Sequence, residues 1–304
     1  MDFPSSRATT PASEKGPSCR AGGAIQRLDI AGATVAEAFV LSASSTADEA
    51  VRWAAQLDPQ EDPEVFHKLR VALRRMRSLW WAYGPLLDKG DAANWRAQFK
   101  TLANIAGKTR DWDILQGLLT QYEATKHPRV SLLIFVASSR SDAALFSCKA
   151  IREAGVKDAL DRAVESARHQ LSTSAETLAF EKFIRSRVLV AERTLEKRIR
   201  RATSHGELSY AALHEVRIAG KRLRYLLEFF SPVLDIGRRE TIKRLKAAQD
   251  ELGELNDVVA SEALLQEYGP QFGQREIVDA AISYLHDQKK RRVHRAYETL
   301  RHSR

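Results

Sequence analysis

The sequence predicts an all-α protein of two pseudo-symmetric antiparallel helical bundles from a duplicated unit, with two basic helices facing a shared groove. Three observations lead there. Beyond residue 24, apolar residues recur at helical spacing almost throughout. The prolines past that point are sparse and punctuate long periodic stretches: Pro59, Pro63, Pro85, Pro128, Pro232 and Pro270. One basic segment also returns 147 residues later. No hairpin turn signals or alternating runs compete with this reading.

In chain order, residues 1–24 are rich in Pro, Ser, Thr, Gly and Ala, have no periodicity, and read as a disordered tail. A folded region is expected over 34–302, made of an N-terminal bundle at 34–160 and a C-terminal bundle at 175–302. Helices are expected at 34–57, 63–83, 91–110 and 112–124. The stretch 129–155 reads as one helix or two, and Leu132 to Val136 also suits a strand. Further helices follow at 156–171, 175–203, 208–231, 238–255, 258–267 and 273–301.

The repeat carries the functional signal. HKLRVALRRMRSLWWAYGPLL, from His67 to Leu87, matches HEVRIAGKRLRYLLEFFSPVL, from His214 to Leu234. His67 pairs with His214, Arg70 with Arg217, Arg74 with Lys221, Arg75 with Arg222 and Arg77 with Arg224. A second echo lies within LANIAGKTRDWDIL (Leu102 to Leu115) and AAQDELGELNDVVA (Ala247 to Ala260), where Gly107 matches Gly253, Arg110 matches Asn256 and Asp111 matches Asp257 at an offset of 146. Two elements that recur in the same order at nearly one separation indicate a duplicated unit.

On a helix, His67, Arg70, Arg74 and Arg77 share one face, backed by the apolar stripe Leu69, Leu73, Met76 and Trp80. His214, Arg217, Lys221 and Arg224 repeat the row, backed by Val216, Leu223 and Leu227. Arg75 and Arg222 lie about 100° round from their neighbours and widen the stripes. A row of like charges costs stability unless acids or a bound anion compensate. Between Val71 and Tyr83 the first helix holds no acid. A linear polyanion site has this form; a solvated face, or Arg residues paired with acids on other helices, is the alternative. Each His either donates to a phosphate or serves as a half-buried structural group. Asp111 and Asp113, with Asn256 and Asp257, fall at expected helix junctions. Capping of orphan N–H groups or orientation of the Arg stripe is favoured there over a metal site.

Composition bounds the rest. The chain has 304 residues, 33 Arg and 15 Lys, and a net charge of +9, so Arg forks suited to oxyanions dominate. Cys19 and Cys148 are the only cysteines, which excludes a disulfide framework or Cys-rich metal site. The remaining histidines show no ligand spacing, and no metal or other cofactor is expected. No apolar run approaches a membrane span, the longest being near Leu132 to Ala137. The start has no apolar signal-peptide core, so a reducing cytoplasm is the expectation. No GxSxG, Walker A or dinucleotide fingerprint occurs, and the protein is expected not to be an enzyme.

The segments His67 to Leu79, Arg110 to Leu115, His214 to Leu226 and Leu252 to Val258 together resemble the CHAD family, the conserved histidine alpha-helical domain. The resemblance covers roughly 34–302. It implies two pseudo-symmetric four-helix bundles around a basic channel, binding of inorganic polyphosphate and association with polyphosphate granules. The family's positions fall on His67, Arg70, Arg74, Arg75 and Arg77, and on His214, Arg217, Lys221, Arg222 and Arg224. Lys68 stands where an acid is common, as Glu215 does in the second half. No CYTH triphosphatase domain accompanies the motifs. Nucleic-acid binding, docking of an acidic protein and metal-dependent phosphohydrolysis are the rival expectations. The ring-free stretch 67–77 disfavours nucleic acid, since single-strand binders use stacking platforms.

Overall fold

The computed structural model describes residues 32–60, 63–123, 130–174, 178–204, 209–231, 233–234 and 238–302. The expected tail at 1–24, and the side chains of the basic residues Arg238, Arg239, Lys243 and Arg244, lie outside the described residues. Among those described, every regular element is helical. They are α1 (Val35–Ala55), α2 (Pro63–Tyr83), α3 (Lys89–Glu123), α4 (Val130–Glu153), α5 (Val156–Ser174), α6 (Phe180–Ser204), α7 (Tyr210–Phe229), α8 (Arg238–Tyr268) and α9 (Arg275–His302). Short 3-10 turns at Gly84–Leu86 and Gly269–Phe272 close α2 and α8.

Local chemistry explains where helices begin and bend back. Thr34 caps α1: its hydroxyl accepts from the Glu37 N–H, and the Glu37 carboxylate accepts from the Thr34 N–H at 2.8 Å. Pro63 opens α2, where its missing N–H costs nothing. Gly155 and Gly273 take left-handed φ of 54° and 78° at the turns before α5 and α9.

Several expectations are corrected, and the stretch 129–155, open between one helix and two, is resolved. The helices expected at 91–110 and 112–124 are one 35-residue helix, α3, and those at 238–255 and 258–267 are one 31-residue helix, α8. Gly107 and Gly253 lower helix propensity without ending a helix whose apolar residues stay packed on both sides, as Leu102, Ala106, Leu115 and Leu119 do in α3. Asp111, Asp113, Asn256 and Asp257 are therefore mid-helix, and they cap nothing. The stretch 129–155 holds a single helix, α4, with no strand. By length and composition Ser131–Glu153 is also apolar enough to cross a membrane, contrary to the expectation. Its Leu, Ile, Phe, Val and Ala raise its mean hydropathy, and it buries Leu132, Val136 and Ala144 while α4 packs along α3.

Neighbour relations recur along the chain. α2 packs on α1 and α3, and α3 on α4; α7 packs on α6 and α8, and α8 on α9. α5 packs on α1, while contacts of α2 with α7 and of α3 with α8 tie the two series together. The main core draws on both series. Phe39, Trp80, Tyr83 and Phe99 form a lattice of edge-to-face rings 4.9–5.1 Å apart, and Tyr83 reaches Phe183 at 5.3 Å. A second core lies at the far ends of α3, α4, α8 and α9, around Trp112, Leu115, Val136, Leu265 and Leu285.

Candidate functional site

The site follows from which face of α2 and α7 is buried. Leu69, Leu73, Met76 and Trp80 of α2 are wholly inside the core. That burial turns Arg70, Arg74 and Arg77 toward α7 and α3. Val216, Leu223 and Leu227 anchor α7 in the same way and present His214, Arg217, Lys221 and Arg222. These side chains line a cleft of about 580 Å³, together with Arg96, Lys100 and Asn104 of α3 and Asn256 of α8. Eight of the lining side chains are Arg or Lys (three from α2, two from α3 and three from α7), and none is Asp or Glu.

Arg70 is the best anchored. Its Nη1 donates to the Gly107 carbonyl at 3.3 Å and to Asp111 Oδ1 at 3.2 Å. A Cβ at residue 107 would fall 2.4 Å from that nitrogen, so glycine there makes room for the guanidinium. Burial raises the Asp111 pKa, and Arg70 opposes it. Asp113 instead binds Arg140 Nε at 3.1 Å, and Arg140 Nη1 donates to the Pro59 carbonyl at 2.9 Å. Asp113 thus links α3 to α4 and touches no stripe residue. Asn256 Oδ1 accepts from the Tyr210 hydroxyl at 3.4 Å, and that hydroxyl is 3.3 Å from His214 Nδ1. Asp257 makes no ion pair within 4.0 Å among the described residues; its field favours the charged forms of Arg217 and Lys221.

Three of the ten candidate binding residues do not line the cleft: His67, Arg75 and Arg224. Arg75 donates to Glu49 Oε2 of α1 at 3.1 Å and lies over the Phe229 ring at 4.9 Å. Arg224 pairs with Glu228 at 3.2 Å. His67 is half-buried, and burial lowers its pKa, as it does that of His214. Both imidazoles therefore favour the neutral form near pH 7.

The remaining cations are poorly compensated. Among the described residues no acid comes within 4.0 Å of Arg74, Arg77, Arg217, Lys221 or Arg222. Arg217 is 8% exposed and its Nε has no hydrogen-bond partner. Burial, reinforced by Arg217, Arg70 and Arg77, pushes Arg74 down to about 10. Burial, reinforced by Arg74, Arg217 and Arg224, pushes Lys221 down to about 6. Cations drawn from water without partners are costly, and an anion entering the cleft would relieve that cost.

Reading the sequence missed the α3 wall. Arg96, Lys100 and Asn104 stand at i, i+4 and i+8, a spacing that puts them on one helix face, which was the available signal. It also missed two rings. Trp81 and Tyr225 line the cleft, so the absence of aromatics from 67–77 does not extend to the cleft as a whole. The Trp81 ring is engaged by Arg187 and Arg222, each with its guanidinium carbon 4.5 Å from the ring centroid.

Comparison with known proteins agrees with the fold. The profile of the family described as the CHAD domain matches residues 41–266. The crystal structure of the CHAD domain from the plant Ricinus communis superposes with a TM-score of 0.71 at 26% identity, covering 88% of this chain and 92% of that one. PptA from Streptomyces chartreusis superposes with a TM-score of 0.61 at 16% identity, covering 89% of this chain and 99% of that one, a likeness of fold alone. No curated protein sequence matches. With a profile match over most of its length and this arrangement of helices, the chain belongs to the CHAD family.

Proposed function

We propose that the protein binds inorganic polyphosphate in the cleft between α2, α3 and α7, without turning it over. One observation carries this reading: eight Arg and Lys side chains line the cleft and no carboxylate does. A long, flexible, repeating anion matches that lining, and family membership directs the choice to polyphosphate. In this reading α1–α4 and α6–α9 are copies of one four-helix unit, and the cleft is the basic groove formed where α2 meets its counterpart α7. Arg forks engage successive phosphate oxygens, and His214 adds a directed hydrogen bond. The cellular setting we propose is the cytoplasm, at polyphosphate granules.

Nucleic acid is the main rival, because Trp81 and Tyr225 bring rings to the cleft. Two guanidiniums already occupy Trp81, which leaves it poorly suited to stack a base. The test is a polyphosphate titration at about 150 mM salt, comparing the wild type with the double substitution Arg74→Ala, Lys221→Ala and using DNA as competitor. Lost affinity in the variant and weak competition by DNA are expected. Unchanged binding in the variant removes the cleft from the account, and competition by DNA at equal affinity removes the specificity.

A further inference from the structure

The repeat gives each stripe Arg a counterpart, and equivalent positions meet different fates. Arg75 and Arg224 are paired with Glu49 and Glu228, and neither lines the cleft. Their equivalents Arg222 and Arg77 both line it, at one corner, and meet no acid within 4.0 Å among the described residues. This corner gathers still more charge. Arg96 of α3 lines it, and the fields of Arg77, Arg96 and Arg187 act on Arg222, with Glu215 opposing them from farther off. Trp81 supports the cluster: Arg187 and Arg222 lie on its ring, and Arg187 Nη2 donates to the Trp81 carbonyl at 3.3 Å. Arg77, Arg96 and Arg222 thus line this corner, while Arg187 of α6 lies on the Trp81 ring without lining the cleft.

That asymmetry gives the cleft a direction. Interior phosphates of a linear polyphosphate carry one charge each. A terminal phosphate, like a phosphoserine, carries about −1.5 to −2 at pH 7 and offers three acceptor oxygens. Three lining guanidiniums with no ion pair among the described residues, Arg77, Arg96 and Arg222, match the densest charge on the ligand, whereas Arg70 is shared with Asp111. Resting on the polyphosphate reading above, we propose that the Trp81 corner, lined by Arg77, Arg96 and Arg222 and supported by Arg187, is a subsite for the terminal phosphate of a linear polyphosphate. The chain end is seated there, and the interior phosphates run past Arg74, Lys221 and Arg217. Trp81 is a positioning residue, acting through the two guanidiniums it carries.

The experiment is equilibrium titration with polyphosphate of one defined length, prepared either with free ends or with both ends capped as monoanionic phosphoramidates. In the wild type, capping should weaken binding by about tenfold or more, the scale of one lost charge-assisted contact. In Arg187→Gln, and separately in Arg96→Gln, the difference between the two ligands should shrink toward none. Arg74→Gln should weaken both ligands alike and keep their ratio. Equal wild-type affinity for both ligands overturns the end subsite while leaving polyphosphate binding intact. A capping effect that persists in both corner variants overturns the assignment to this corner. Failure of both ligands to bind overturns the polyphosphate reading itself, and the subsite with it.

Discussion

Replacing Lys221 with Met should stabilise the protein while weakening its hold on polyphosphate. The lysine pKa falls from 10.5 to about 6 in the fold. With the folded pKa below the unfolded one, the unfolded chain binds the proton more tightly. Stability is therefore undiminished above pH 10.5 and declines as pH falls toward 6. At pH 7 the interval from 10.5 down to 7, at 1.36 kcal/mol per pH unit, sets an upper bound of about 5 kcal/mol on the cost of keeping Lys221 in place. Relaxation and water entry reduce such figures severalfold, so a gain of about 1–3 kcal/mol is expected, or roughly 3–8 °C in Tm for a domain of this size. Met keeps most of the unbranched stem, so little packing is lost. Calorimetric melting at pH 7 and pH 10 measures the effect. The gain should be large at pH 7 and nearly gone at pH 10. A variant that melts below the wild type at pH 7, or whose gain is independent of pH, refutes the reasoning that Lys221 is an uncompensated buried amine held for binding.

Other expectations follow from the same geometry. A bound polyanion favours charged Lys221, so binding should take up a proton. Affinity should rise as pH falls from 8 toward 6, and titrations in two buffers of different ionisation enthalpy should differ by the heat of that proton. Gly253→Ala meets open space and should stabilise α8 by about 0.5–1 kcal/mol. Gly107→Ala would push Arg70 off Asp111 and should show a net loss instead, both read from denaturant midpoints. Trp80→Ala, at the centre of the ring lattice, should cost about 3–5 kcal/mol by the same measurement.

The two basic stripes were legible because helix pitch alone places Arg70, Arg74 and Arg77 opposite Leu73, Met76 and Trp80. The fate of each cation was not legible. Arg75 and Arg222 hold the same place in the same motif. Glu49, on a different helix, takes Arg75 out of play, and among the described residues no acid comes within 4.0 Å of Arg222. Gly107 reads locally as a helix end, yet its reason is distant, the approach of Arg70 from α2. The Arg96–Lys100–Asn104 wall had visible spacing, but only the packing of α3 against α2 and α8 turns it into the cleft. What helix periodicity encodes was readable, and what depends on how helices cross was not.

The central claim is tested most directly by a crystal structure of the protein with bound polyphosphate. The account predicts phosphate density between α2, α3 and α7, within hydrogen-bond distance of Arg74, Arg77, Arg217 and Arg222, and ending beside Trp81. Phosphate density confined to the basic ends of α6 or α9, around Lys197–Arg201 or Lys289–Arg292, with none in the cleft, would contradict it.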